Sequence, residues 1–357
     1  MPKAITIMRF QYIFSFALSS LLFLACQPEE KEKGLEKEQE TVQTEVEVKS
    51  EIDSLSELID KEPSKALFMV RAEAYNKLGR FDRSIVDAKK VYEYSKDDYD
   101  NMIFYADMLM DALIYNPNLI EEAKVIYEKA VEMYPEKAGG YLGMGKVYTL
   151  VNNPEEAFTF INKALKMDET LSEAYYLKGF LYQSQGKVKL AVSSYMTSVE
   201  QDPEFTEGYI VLGSILSKYG DVKSQQMAEG YFRTALTIEP LNKDAFYGLG
   251  MLYQNQDKLD SAMAQYRTIV KIDPNYAIAW FNQGWVYMNR SDEIDSAIFY
   301  FEHAIEADSL YADAYNNLGY CYEKKKDLNQ AKSYYLKAIE VDPMHEKAKK
   351  NLQTLYK

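Results

Sequence analysis

From about residue 65 to about residue 345, large apolar, small and polar positions recur with a period of roughly 34 residues. The stretch from Ala312, ADAYNNLGYCYEKKKDLNQAKSYYLKAIEVDP, aligns with the stretch from Lys243, KDAFYGLGMLYQNQDKLDSAMAQYRTIVKIDP. Both show an aromatic, Leu-Gly, a Tyr, an Ala, an aromatic and a closing Asp-Pro at the same offsets. Such a period predicts stacked helix–turn–helix units, each packing on its neighbours alone. A chain of 357 residues then reads as one continuous array rather than two or three globular domains.

Eight repeats fit, starting near Lys65, Tyr99, Ala138, Ser172, Thr206, Lys243, Ala277 and Ala312 and filling residues 65–345. Where two helices approach closely only small side chains fit. The first helices supply Ala72, Ala106, Gly145, Gly179, Gly213, Gly250, Gly284 and Gly319, and the second helices supply Ser84 and then Ala123, Ala157, Ala191, Ala228, Ala262, Ala297 and Ala331. Large residues fill the gaps, from Phe68 and Tyr141 to Trp280 and Tyr315, so most of the 31 tyrosines have a packing explanation. Pro135, Pro203, Pro240, Pro274 and Pro343 stop second helices, because proline cannot continue one. Repeat one is atypical, with Lys96 for the closing proline and Ala88 at an aromatic site. Repeats two and five carry extra residues around Tyr115–Asn118 and Gly220–Gln226, which lengthen the turn within the hairpin. Ile52, Leu55, Leu58 and Ile59 predict a capping helix over 51–64, and a polar helix over 346–357 closes the other end.

This pattern resembles the tetratricopeptide repeat family over nearly four fifths of the chain, which implies an all-α fold, an α-α superhelix with capping helices. The resemblance also implies that first helices line a concave groove, with two positions per repeat facing it. Here they begin with Met69 and Glu73, Ile103 and Asp107, Leu142 and Lys146. From repeat four they turn aromatic: Tyr176 and Phe180, Ile210 and Ser214, Tyr247 and Met251, Phe281 and Trp285, Asn316 and Tyr320. Asn282 and Asn317 stand beside them and are expected to bond an extended peptide backbone. A protein or peptide partner is therefore expected, unless the rings only pack against the next hairpin. The Lys/Asn/Arg series with which chaperone-type members clamp acidic tails is missing.

The N-terminus bears on location. Lys3 and Arg9 precede an apolar run from Phe10 to Ala25, too short for a comfortable span and typical of a signal peptide, here residues 1–25; Met1 and Met8 are alternative starts. Ala25 before Cys26, with Leu24 and Phe23 upstream, resembles the cleavage box of bacterial lipoproteins, although Phe23 stands where that pattern prefers Leu. The resemblance implies a lipidated Cys26 holding the mature chain to a membrane. The alternatives are an ordinary cleaved signal or an uncleaved anchor with an incidental cysteine. Residues 26–50 are Glu/Lys-rich without aromatics and read as a disordered tether. Such a tether reaches roughly 25–30 Å. Gln27 after Cys26 favours, by the same analogy, the outer membrane of a bacterial envelope. Glu29-Glu30 resembles the acidic export signal of Bacteroidetes surface lipoproteins, or is only a solvated linker.

Composition narrows the chemistry. A net charge of −14 disfavours nucleic acid, whose phosphates reward clustered Lys and Arg. Two histidines, His303 and His345, lie far apart without ligand company, so neither a metal nor another cofactor is expected. No nucleophile–base pair and no phosphate loop after a strand can be found, which argues against an enzyme. The expectation is a membrane-anchored adaptor or scaffold for an envelope assembly, the alternative a spacer or self-associating scaffold without a peptide ligand.

Overall fold

The computed structural model describes residues 48–218, 221–289 and 293–355; the apolar leader, Cys26 and all but the end of the predicted tether lie outside them. Every regular element among the described residues is helical. Two compact units divide the chain, the first ending at Leu212 and the second beginning at Gly213.

The first unit opens with α1, helical over described residues 48–61. Hairpins follow: α2 (Lys65–Lys77) with α3 (Phe81–Tyr94), α4 (Tyr99–Asp111) with α5 (Leu119–Met133), α6 (Ala138–Leu150) with α7 (Pro154–Met167), and α8 (Ser172–Ser184) with α9 (Val188–Gln201). The extra residues of repeat two form a 3-10 turn over Ala112–Ile114 and a loop exposing Ile114 and Tyr115. The unit boundary falls inside α10 (Thr206–Leu216). The second unit continues with α11 (Val222–Ile238), then pairs α12 (Lys243–Asn255) with α13 (Leu259–Ile272), α14 (Ala277–Met288) with α15 (Ile294–Ala307), and α16 (Ala312–Lys324) with α17 (Leu328–Val341). It closes with α18 (Glu346–Thr354).

One turn recurs between first and second helices. Two residues past the first helix the backbone swings to positive φ at Gly79, Asn152, Gly186, Asp257 and Lys326. The N–H of Lys326 then bonds the Glu323 carbonyl and that of Asp327 the Tyr322 carbonyl, so the last carbonyls of α16 are not orphaned. The second helix is capped in turn: the Asp327 side chain accepts from the Gln330 N–H, as Asn153 does from Glu156.

Inside each hairpin the small residues admit a ring. Tyr127, Tyr195, Phe232, Tyr266, Phe301 and Tyr335 follow the second small position by one helical turn and are almost wholly buried. A Cβ on Gly284 would stand 2.7 Å from the Phe301 ring, and one on Gly319 2.6 Å from the Tyr335 ring. All four tyrosines reach across the hairpin with their hydroxyls: Tyr127 to Asp107 Oδ1 (2.6 Å), Tyr195 to Gln183 Oε1 (3.0 Å), Tyr266 to Gln254 Oε1 (3.0 Å) and Tyr335 to Glu323 Oε2 (2.7 Å).

Both ends are covered. On α1, Ile52, Leu55 and Ile59 are buried, Ile52 against Ala74 and Tyr75, Ile59 against Phe68 and Val91; Leu58, in the predicted apolar set, is exposed. On α18, Ala348 packs on Tyr315 and Ala338, and Leu355 on Ala331 and Tyr335. His345 caps this helix, its Nδ1 accepting from the Ala348 N–H while Nε2 faces Asp313 at 3.2 Å.

Candidate interaction face

The first helices of the second unit carry Tyr247 and Met251 on α12, Phe281, Asn282 and Trp285 on α14, and Asn316, Asn317 and Tyr320 on α16. All sit where helical periodicity puts them, but their side chains have different duties. Phe281 packs its ring 5.4 Å from Phe301 and 4.9 Å from Tyr311, which ties α14 to the hairpin core and to the next turn. Tyr247 lies 6.4 Å from Tyr266. Met251 is half-buried, and half-buried Tyr320 carries the Lys324 ammonium 5.1 Å from its ring centroid.

The asparagines are more committed than their sequence positions suggest. Asn316 is buried; its Nδ2 donates to Asn317 Oδ1 (3.2 Å) and its Oδ1 accepts from Asn351 Nδ2 of α18 (3.0 Å). Asn282 is buried too, and among the described residues its Nδ2 meets no acceptor. Nothing in the sequence marks Asn351 as the partner of Asn316, because the two lie 35 residues apart on different elements.

Trp285 differs from both groups. Its ring packs at the edge of the cluster of Ala297, Ile298, Phe301, Leu318 and Cys321, and the residue is half-buried. Among the described residues the indole N–H bonds no acceptor and is not sealed from solvent. The other tryptophan, Trp280, spends its indole N–H on the Pro274 carbonyl at 2.7 Å.

In the first unit, Tyr176 is wedged between Tyr195 (5.4 Å) and an edge-on Phe205 (5.3 Å), and burial pushes its hydroxyl pKa well above the usual range. Phe180 is half-buried. Beside this pair lies a charged network that spacing alone does not reveal. Lys146 Nζ bridges Asp107 (3.4 Å) and Glu173 (2.9 Å), so one ammonium links α4, α6 and α8. Burial alone would depress that ammonium, but the two carboxylates outweigh it and its pKa is raised. Tyr127 donates to Asp107 (2.6 Å), and Asn76 to Asp111 (2.7 Å).

Burial pushes the Cys321 thiol up to about 12, so it carries essentially no thiolate near neutral pH. Among the described residues no group of three or more His, Cys, Asp or Glu side chains is placed to hold a metal ion. None of the described helices is long and apolar enough to cross a membrane.

Five segments match family models of the tetratricopeptide repeat: residues 138–171, 172–205, 244–276, 277–309 and 312–345. Human protein O-mannosyl-transferase TMTC3 is 23% identical over 242 residues, which make up 68% of this chain and 26% of that protein. The chain thus spans about a quarter of that relative's length. A chain of the APC/C hetero-tetramer Cut9–Hcn1 superposes with a TM-score of 0.62 at 20% identity, over 86% of this chain and 58% of that one. The C-terminal part of a TPR repeat-containing protein from Cytophaga hutchinsonii gives 0.51 at 20% identity, over 70% of this chain and 99% of that one. At such identities the structural likeness speaks to fold alone.

Proposed function

Because the chain is built of tetratricopeptide repeats, a fold that generally serves as a non-catalytic interaction scaffold, we propose that it is a lipid-anchored adaptor of a bacterial cell envelope. It holds a protein or peptide partner on the first-helix face of its second unit, with Trp285 as the central anchor. Trp285 carries this reading: a half-buried indole fixed along one side by apolar packing, its N–H unspent among the described residues. Burying such a ring is the kind of contact that dominates interface energies, about 2 kcal/mol or more for a hot spot. Met251 and Tyr320 add adaptable apolar surface beside it in register, and none of these three is charged. An apolar or aromatic anchor residue of the partner is therefore the favoured occupant. The membrane part of the proposal rests on Cys26 and the run before it. Catalysis is no part of it, since the likeness to the mannosyl-transferase covers only a quarter or so of that protein.

A photo-crosslinking amino acid at position 285 in the native host, with one at Lys325 as control, tests the adaptor reading. Capture of a discrete envelope protein from 285 alone is the expected result. Self-crosslinks only, or equal capture from both positions, would replace the adaptor with a spacer or self-associating scaffold. For the anchor, Cys26→Ser is expected to release the protein from membranes or leave an unprocessed precursor. Normal processing with full membrane retention would remove lipidation from the proposal.

A further inference from the structure

Pro274, Asn275, Trp280, His303, Glu306 and Ala307 line a surface cleft of about 230 Å³ at the start of α14 and the end of α15. None of them belongs to the first-helix face described above. Its walls are fixed by contacts within the chain. The bond from the Trp280 indole N–H to the Pro274 carbonyl spends the edge of that ring, and Tyr300 lies 6.0 Å from it at a tilt of 32°. His303 lies 4.8 Å from Trp280 and 4.3 Å from Phe299 between ring centroids, and its Nδ1 is 2.7 Å from Glu306 Oε2.

Other repeats show what this register holds when the chain fills it. The ring positions in line with Trp280 include Phe68, Tyr141 and Tyr315, and the second-helix position in line with His303 is lysine in repeats one, two, three and eight (Lys90, Lys129, Lys163 and Lys337) and threonine in repeats four to six (Thr197, Thr234 and Thr268). Lys90 Nζ lies 5.6 Å from the Phe68 centroid, and Lys163 Nζ lies 5.7 Å from Tyr141. Lys337 Nζ bonds Glu340 at 2.9 Å, and Glu340 is in register with Glu306. Two repeats thus set an ammonium over this ring, and a third sets one on this carboxylate. Repeat seven keeps the carboxylate and presents indole, the ring that attracts cations most strongly. In place of lysine it has the shorter imidazole of His303, and the cleft opens beside it.

We infer that this cleft takes an ammonium group from outside the chain, a lysine side chain of a protein partner, over the Trp280 face with Glu306 as counter-charge. The lysines of repeats one and three argue for this class over a neutral ligand such as a sugar, since each sets an ammonium over the ring equivalent to Trp280.

The test is a proton NMR titration of the purified full-length protein with Nα-acetyl-lysine-N-methylamide and with tetramethylammonium, and with methyl β-glucoside as the neutral competitor class. Saturable upfield ring-current shifts of the ammonium-side protons are expected, with none for the glucoside. Trp280→Leu should weaken binding about tenfold, and Glu306→Gln should weaken it less, that carboxylate being exposed. The informative variant is His303→Lys. It installs the side chain that repeats one, three and eight already tolerate, so the fold is expected to survive, as circular dichroism would show, while the chain's own ammonium fills the site and abolishes binding. Equal binding by folded His303→Lys, no saturable shift with either ammonium, or a response to the glucoside instead would each overturn the inference.

Discussion

Arg71 occupies a register that Leu212, Leu249 and Leu318 fill in later repeats, all three buried. A guanidinium is tolerated there because Asp87 takes it in a two-pronged bond at 2.7 and 2.9 Å and Ser56 of α1 accepts a third bond at 2.9 Å. Only 3% of the Asp87 side chain is accessible. Asp87→Ala leaves that cation half-buried without a counter-charge, and denaturant unfolding should show a loss of about 3 kcal/mol. The double change Arg71→Leu with Asp87→Ala should recover most of it. A second residue-scale prediction concerns Lys326, whose φ of 64° is unfavourable for any side chain with a Cβ. Lys326→Gly should stabilise the chain by about 0.5–1 kcal/mol; a loss of stability would show that the Lys side chain contributes more than its backbone costs.

At the scale of the hairpin, two contacts compete to explain why first and second helices pair so closely, the ring against glycine and the tyrosine hydroxyl across the hairpin. Phe232 and Phe301 occupy the tyrosine register without a hydroxyl and are equally buried, so the ring packing is the indispensable part. Tyr266→Phe should therefore cost about 1 kcal/mol, the net worth of one hydrogen bond. Gly319→Ala drives a methyl into the Tyr335 ring and should cost about 1–3 kcal/mol with a lowered thermal midpoint. Equal losses would assign the hydroxyl a larger share. This level was largely legible in the sequence, since the small positions, their ring partners and the turns follow from a period that repeats many times. What the period does not specify is where a side chain goes once its face is known. Tyr176 and Phe281 lie on the predicted face, yet their rings turn into the hairpin core. Asn316 is spent on Asn351, and Lys146 binds carboxylates from two other helices. Periodicity assigns a face, whereas rotamers and neighbours 30 or more residues away decide what that face presents.

At the scale of the whole chain the two ends matter most, because a stack of like units has nothing in its interior to tell it where to stop. α18 is nine residues long and covers Tyr315, Ala338, Ala331 and Tyr335 with Ala348 and Leu355, while its remaining surface is Glu-, Lys- and Gln-rich. Deleting residues 346–357 uncovers a face shaped for one more hairpin, and sedimentation should then show end-to-end association or loss of solubility. A monomer of unchanged solubility would deny α18 that role.

The consequence reaches into the history of such a chain. Copying one hairpin and inserting the copy leaves every interior contact of its type intact, so the array can lengthen or shorten by whole repeats without redesign. The helix that ends it has no such freedom. A copy inserted before α18 would present that helix with a face of the same type, so α18 could keep the packing it now makes on Tyr315, Ala338, Ala331 and Tyr335.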